Sequence, residues 1–174
     1  TELKSVDFGA ALGNLEKMLE PIVGKHLGFS VKFEPAIGCV RMDPVQIDQI
    51  VMNLVINARD ALNGEGSIRV EAENREVDAT YKSHQFPMTP GRYIALRVAD
   101  NGTGIAPEIA ERIFEPFFTT KGVGKGTGLG LAVIYKIVKD SMGDIRVSSE
   151  PGVGTTFEIL LPRDEAESIQ SPGG

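Results

Sequence analysis

Two asparagines stand one helical turn apart in the segment NLVINARDA, which covers residues 53–61. Gln49 lies one turn before Asn53, and Asp60 lies close to one turn after Asn57. An α-helix advances about 100° per residue, so these four polar side chains would share an arc of roughly 80°. Carboxamide oxygens suit Mg²⁺, which usually keeps some waters and shares phosphate oxygens. The spacing therefore predicts a polar stripe that holds a metal ion or another polar group.

An apolar arc borders this stripe and should face the core. It consists of Ile47, Ile50, Leu54, Ala58 and Ala61. The alternative interpretation of the stripe is helix capping or plain surface polarity. That alternative fits Asn63 but fits Asn53 and Asn57 poorly, because both stand in the middle of the predicted helix.

The segment VADNGTGIAPE (98–108) ends a predicted strand in an acidic residue and then turns on two glycines. Asp100 could accept a hydrogen bond from an exocyclic amine while half buried. Gly102 and Gly104 would let the backbone approach a flat ligand closely. Taken alone, the segment favours the alternative interpretation, a common Asp-Asn-Gly turn.

A glycine-rich loop, GVGKGTGLGL (122–131), leads into a predicted helix. Backbone amides at a helix N-terminus bind phosphate readily, and Lys121 and Lys125 could add positive charge. The loop lacks the Gly-Lys-Ser/Thr of a Walker A motif and the spacing of the dinucleotide fingerprint. A flexible surface loop is the alternative, but so many glycines directly before an apolar helix favour phosphate contact.

Aromatic residues mark the segment RIFEPFFTTK (112–121), which contains Phe114, Phe117 and Phe118. They either anchor a loop to the core or form the hinge of a mobile lid, and the spacing does not separate these two possibilities. Further on, Gly154 and Thr155 begin a predicted strand, and a hairpin turn explains them adequately.

The elements that must position these residues follow from periodicity and from turn signals. Asp43-Pro44 supplies a helix cap and a proline for the first turn. Helices are predicted over 8–24, 44–62 and 129–141, with a short helical turn within 106–114. Strands are predicted over 31–35, 39–43, 67–77, 93–100, 144–149 and 154–162, with a polar loop over 78–90. A mixed sheet covered on one face by helices accommodates this order.

Composition limits the class of protein. The chain has 174 residues, which fits one domain, and 41% hydrophobic residues, which is enough for a core. A net charge of −6 argues against a nucleic-acid-binding surface and against a polybasic membrane anchor. We find no transmembrane run and no signal peptide, and the single cysteine favours a reduced, cytoplasmic setting. With one cysteine and two histidines, a zinc site is nearly excluded.

Taken together and in this order, the motifs resemble the catalytic ATP-binding domain of sensor histidine kinases, within the GHKL superfamily. The N, G1, F, G2 and G3 boxes of that domain are similar to NLVINARDA, DNGTGI, IFEPFFTTK, GKGTGLGL and GVGTTF. The wording FEPFFTTK is most similar to the nitrogen-regulatory and hybrid-kinase branch. The resemblance implies an α+β fold, a two-layer sandwich with a mixed, mostly antiparallel sheet covered on one face by helices. The domain would span residues 1–162, its ATP lid about 103–128, and a linker or disordered tail 163–174.

The resemblance also implies roles at individual positions. Asn57 would coordinate Mg²⁺, and Asn53 would support the phosphates or the metal. Asp100 would accept the adenine amine, within a pocket shaped by Gly102, Gly104 and Thr155. The phosphate-binding loop would comprise Lys121, Lys125, Gly126, Thr127, Gly128, Leu129 and Gly130.

The expected activity is transfer of the γ-phosphate of Mg-ATP to a histidine in two-component signalling. Related hydrolysing ATPases have a glutamate general base where Asn53 stands, and nothing here would activate water. His26 and His84 lack the pattern of a phosphoacceptor, so the acceptor should lie on a separate dimerisation domain N-terminal to Thr1.

Expected partners are that domain of the same kinase and a downstream receiver domain, with no nucleic acid. The isolated domain would be monomeric, and the full-length kinase would be a homodimer with a possible membrane anchor. One alternative is a catalytically silent nucleotide-binding regulatory module. Another is a serine kinase or dimeric ATPase of the same superfamily, but the missing glutamate and the FFTTK lid argue against it.

Overall fold

The computed structural model describes residues 2–116, 118 and 130–164. Its strands are β1 (Lys4–Asp7), β2 (Gly28–Phe33), β3 (Cys39–Met42), β4 (Ser67–Val77), β5 (Gly91–Asp100), β6 (Asp144–Glu150) and β7 (Gly154–Pro162). Its helices are α1 (Phe8–Val23), α2 (Pro44–Leu62), α3 (Pro107–Ala110) and α4 (Gly130–Asp140).

Five strands form one sheet in the order β2-β4-β5-β7-β6. β2 pairs with β4 in parallel, and the other neighbours are antiparallel. The remaining two strands, β1 and β3, form a separate antiparallel pair. Helices α1, α2 and α4 cover one face of the five-stranded sheet, and the buried core lies between the two layers. The predicted α+β sandwich with a mixed, mostly antiparallel sheet is therefore confirmed.

Helix α2 begins and ends where the sequence predicts. The Asp43 side chain caps it by accepting a hydrogen bond from the Val45 backbone N–H at 2.9 Å, and Asn63 ends it in the left-handed region at φ 51°. Four residues of the predicted apolar arc, Ile47, Ile50, Leu54 and Ala58, are buried. Each larger aliphatic side chain buried here stabilises the fold by roughly 1.5–3 kcal/mol. Burial of this arc fixes the rotation of α2 about its own axis, and this rotation sets the direction in which the polar stripe points.

The structure adds one strand and changes several boundaries. β1 was not predicted from the sequence, because its residues are mostly exposed and its pairing joins Lys4 to the distant Met42. β2 begins at Gly28 instead of residue 31, because its parallel partner β4 begins at Ser67 and Ser67 pairs with Gly28. The helical turn expected within 106–114 is confined to Pro107–Ala110.

The loop between β4 and β5 is held by Asp144, the first residue of the edge strand β6. This buried carboxylate accepts hydrogen bonds from the backbone N–H groups of His84, Gln85 and Phe86 and from the Tyr81 hydroxyl, at 2.8–3.2 Å. Burial, followed by the bond to Asp144, raises the pKa of Tyr81 to about 12. The polar loop predicted over 78–90 is thus an ordered part of the fold.

Two residues beyond β7 continue the main chain alongside β3. Arg163 bridges to Val40, and the Asp164 N–H donates to the Cys39 carbonyl oxygen at 2.8 Å. Within the described ranges, no helix is long and apolar enough to cross a membrane.

Candidate functional site

The asparagine stripe of α2 faces the first residue of α4. The Asn53 side-chain amide donates to the Gly130 carbonyl oxygen at 3.4 Å. A Cβ at Gly130 would lie 3.8 Å from the Asn53 amide nitrogen, which is ordinary contact. Both asparagines are half-buried, and the Asn57 side chain has no hydrogen-bond partner among the residues that the structure describes. Asn57 therefore presents an amide that a ligand can use.

Asp100, the last residue of β5, is held at the other end of this region. Its carboxylate accepts a hydrogen bond from the Gly102 backbone N–H at 2.8 Å and another from the backbone N–H of Thr155, its register partner on β7. Burial raises the pKa of Asp100, and the two backbone N–H groups oppose that rise. The carboxyl group is thus fixed in place and only partly solvated, as recognition of an amine requires.

Gly102 and Gly104 allow close approaches between backbone segments of the protein itself. A Cβ at Gly102 would lie 2.5 Å from the Ala61 carbonyl oxygen at the end of α2. Gly104 has φ 76°, and a Cβ there would collide with the Glu150 carbonyl oxygen. Between them, Thr103 donates to Ala61 at 3.3 Å. The turn after Asp100 is therefore clamped between α2 and the β6–β7 hairpin.

Thr155 is buried beside a hydroxyl that the sequence analysis did not single out. Its Oγ1 lies 2.7 Å from the Ser149 Oγ, which accepts a hydrogen bond from the Ile105 backbone N–H at 2.7 Å. The only local signal was a serine in a strand next to the hairpin turn, and that signal is too common to select it.

The described part of the aromatic segment is anchored to the core. The Phe114 ring stacks on Tyr135 of α4 at 5.3 Å between centroids and meets Phe157 of β7 edge-on at 6.4 Å. Tyr135 also contacts Phe86, with 4.8 Å between the ring centroids. The Arg112 guanidinium lies over the Phe118 ring, 4.6 Å from its centroid. For Phe114 and Phe118 these contacts fit the anchor interpretation.

Several predicted site residues lie outside the described residues. They are Lys121, Lys125, Gly126, Thr127, Gly128 and Leu129, together with Phe117 of the aromatic segment. Gly130 of the same motif is described and begins α4. The structure thus brings Asn53 to Gly130, and Asp100 to Gly102 and Thr155.

A model of the family described as histidine kinase-, DNA gyrase B- and HSP90-like ATPases matches residues 42–165. The chain is 41% identical over 158 residues to the sensor kinase CckA of Brucella abortus, covering 91% of the chain and 17% of that relative. It is 35% identical over 140 residues to the signal transduction histidine-protein kinase AtoS of Escherichia coli K12, covering 80% of the chain and 20% of AtoS. The chain therefore spans about a fifth or less of the length of these curated relatives.

Solved structures give the same grouping. The catalytic domain of the histidine kinase ThkA superposes with a TM-score of 0.74 at 27% identity, covering 94% of the chain and 97% of that domain. Full-length ShkA in complex with AMPPNP gives a TM-score of 0.73 at 25% identity, covering 93% of the chain and 31% of ShkA. The fold is that of histidine kinase catalytic domains.

Proposed function

The chain belongs to the family of histidine kinase-, DNA gyrase B- and HSP90-like ATPases, and we propose that it binds Mg-ATP and donates the γ-phosphate to a histidine on a separate domain. The observation that carries this proposal is that one helix, α2, connects two chemically different groups, the Asn53 amide and the Asp100 carboxylate. Asn53 of α2 contacts the start of α4, and Ala61 of α2 contacts the turn after Asp100. Eight residues of helix separate these points, or about 12 Å. One nucleotide could extend along that distance, with its base at one end and its phosphates at the other.

The end near Asp100 suits an adenine base. A fixed, half-buried carboxylate accepts a hydrogen bond from an exocyclic amine, and adenine carries such an amine where guanine carries a carbonyl. Thr155 lies directly opposite Asp100 in the β5–β7 register and offers a second polar group. We propose that Asp100 and Thr155 recognise the base, while Gly102 and Gly104 hold the turn that completes the pocket.

The end near Asn53 and Asn57 suits phosphates and a metal ion. The Asn57 amide oxygen would be one ligand of Mg²⁺, which takes its remaining ligands from waters and phosphate oxygens. The described residues contain no group of three or more His, Cys, Asp or Glu side chains placed to hold a metal, so phosphate would be an essential part of that coordination. We propose that Lys121, Lys125, Gly126, Thr127, Gly128, Leu129 and Gly130 contact the phosphates.

The chemistry would be transfer without activation of water. A bond forms between the γ-phosphorus and an imidazole nitrogen, the bond to the β–γ bridging oxygen breaks, and ADP leaves with the electron pair while the imidazole proton passes to solvent. Catalysis of such a transfer comes from positioning and from neutralising phosphate charge. Asn53 cannot act as a general base, because an amide does not accept a proton near neutral pH.

The partners follow from the same chemistry. We propose that the acceptor histidine belongs to a dimerisation domain of the same protein, that the full-length protein is a homodimer, and that a receiver domain takes the phosphate onward. The relatives are named as a sensor kinase and a signal transduction histidine-protein kinase, which supports this assignment at the level of the family. We further propose that this domain works in the cytoplasm and needs no nucleic acid.

Phosphoryl transfer between two purified proteins tests the proposal. The chain is mixed with the histidine-bearing domain of its parent protein, Mg²⁺ and ATP labelled at the γ-phosphate, and acid-labile label on the acceptor is measured. We expect label on the acceptor with the wild-type chain and much less with Asn57→Ala. Nucleotide binding without any transfer would instead identify a silent regulatory module, and absence of nucleotide binding would overturn the proposal entirely.

A further inference from the structure

A single hydroxyl connects the base end of the site to the turn that follows Asp100. The Ser149 Oγ on β6 lies 2.7 Å from the Ile105 backbone nitrogen, 3.1 Å from the Gly154 carbonyl oxygen and 2.7 Å from the Thr155 Oγ1. These three groups belong to the β5–α3 connection and to the start of β7. Because Ser149 touches all of them, it joins three separate contacts through one atom.

The proton count at Ser149 allows two arrangements. A hydroxyl has one proton to donate and two lone pairs that accept. The Ile105 N–H occupies one lone pair, so the Ser149 proton goes either to the Gly154 carbonyl or to the Thr155 hydroxyl. In the first arrangement Thr155 donates its proton back to Ser149, and in the second the Thr155 proton is free for a ligand.

We infer that Ser149 is a positioning residue for the nucleotide base, which directs the Thr155 proton outward when a base is bound and at the same time fixes the Ile105 amide. This inference rests on the proposed function and deepens it. With a hydrogen-bond acceptor beside Thr155, the bonds run in one direction from the Ile105 N–H through Ser149 and Thr155 to the ligand. Hydrogen bonds aligned in this way polarise and strengthen one another.

The surroundings make the Ile105 amide sensitive to this arrangement. The Thr103 carbonyl oxygen accepts a hydrogen bond from the Gly152 N–H at 2.8 Å. The turn is therefore tied to the hairpin at two points, and the bond from the Ile105 N–H to Ser149 is the second.

Thr155 is only 5% exposed, so water competes poorly for its hydroxyl. The ring nitrogen of adenine next to its amine is an acceptor, whereas the corresponding nitrogen of guanine carries a hydrogen. The chain of bonds therefore favours adenine over guanine.

The test compares Ser149→Ala with Ser148→Ala. Ser148 is the neighbouring residue on the same strand, is exposed and has no side-chain hydrogen bond among the described residues, so it is a matched control. Dissociation constants for Mg-ATP and Mg-GTP are measured by calorimetry, and KM and kcat are measured for transfer to the histidine-bearing domain. We expect Ser149→Ala to raise the ATP dissociation constant and KM roughly tenfold, to reduce discrimination against GTP, and to change kcat less than about twofold. Ser148→Ala should behave like wild type, and Ser149→Thr, which keeps the hydroxyl, should restore most of the affinity.

A double-mutant cycle identifies the route of the effect. If Ser149 acts through Thr155, Ser149→Ala combined with Thr155→Val should cost little more than either change alone. Additive losses would overturn the inference, as would an unchanged ATP/GTP ratio in Ser149→Ala.

Hydrogen exchange at the Ile105 amide gives a readout in the wild-type chain, which covers the case in which a variant does not fold. We expect exchange there to slow when Mg-ATP binds, and an unchanged rate would overturn the inference. A wild-type chain that binds no ATP would overturn the proposed function as well. A wild-type chain that binds ATP while Ser149→Ala binds it equally well would overturn this inference alone.

Discussion

Asn53 and Gly130 are 77 residues apart in the sequence, yet the Asn53 amide nitrogen lies 3.4 Å from the Gly130 carbonyl oxygen. This contact joins the polar stripe of α2 to the first residue of α4. It brings the end of the glycine-rich motif to the helix that carries both asparagines. Because the Asn57 side chain lies one turn further along α2 and keeps its amide free among the described residues, the two amides have different surroundings.

Replacing Asn57 should change the dependence of nucleotide binding on metal. Asn57→Ala removes a neutral oxygen ligand, and we expect Mg-ATP affinity to fall roughly tenfold or more, while metal-free nucleotide binds almost as before. Asn57→Asp should also alter the response to Mg²⁺, since it adds negative charge beside the phosphates. Calorimetric titrations with and without Mg²⁺ measure both effects. Asn14→Ala, an exposed amide on α1, is the control, and an unchanged Mg²⁺ dependence in the Asn57 variants would contradict the ligand assignment.

Asp100→Asn should weaken ATP binding and, at neutral pH, stabilise the unliganded fold. Burial raises the pKa of Asp100 in the folded state, so folding favours the protonated carboxyl. Its contribution to stability is fully present below the unfolded pKa and is lost as pH rises through the folded pKa. The stability advantage of Asp100→Asn should therefore shrink as the pH is lowered toward the ordinary aspartate range. Denaturant unfolding of the wild type and of Asp100→Asn at neutral and acid pH measures this difference in stability. A stability advantage of Asp100→Asn that grows on acidification would contradict the predicted direction.

Asp144→Ala should be among the most damaging single changes. It leaves the N–H groups of His84, Gln85 and Phe86, whose hydrogen bonds are partly buried, without their acceptor, and we expect a loss of about 3 kcal/mol or more in unfolding free energy. Asp140→Ala is a matched control, because among the described residues that aspartate forms only an exposed pair with Lys136 at 3.0 Å. Its loss should be about 0.5 kcal/mol. Equal losses in the two variants, measured by chemical denaturation, would show that Asp144 does not hold the 78–90 loop.

Met142→Gly should stabilise the chain slightly. Met142 follows α4 with φ 62° and is 72% exposed, so its side chain contributes little packing while its backbone is strained. Glycine adopts this conformation freely, and we expect a gain of about 0.5–1 kcal/mol. Gly152→Ala tests the same argument in reverse, since Gly152 has φ 80° and an added Cβ would meet nothing within 4 Å. It should lose a similar amount, and a destabilised Met142→Gly would show that the side chain matters more than the backbone.

Local chemistry determined much of this protein from its sequence alone. Asp43-Pro44 predicted the start of α2 and Asn63-Gly64 its end, and alternation predicted β4, because each signal lies within one segment. The ordered motifs also led to the family that the comparisons support.

Only the tertiary structure decided which distant groups meet. The pairing of β1 with β3, the contact of Ser149 with Ile105 and the acceptor role of Asp144 all join segments far apart in the chain. No local period encodes such contacts, since they depend on how the sheet register and the hairpin bring backbone groups together. For the same reason, the sequence predicted a close ligand approach at Gly102 and Gly104, and only the fold adds that the backbone of α2 and of the hairpin also lies close to them.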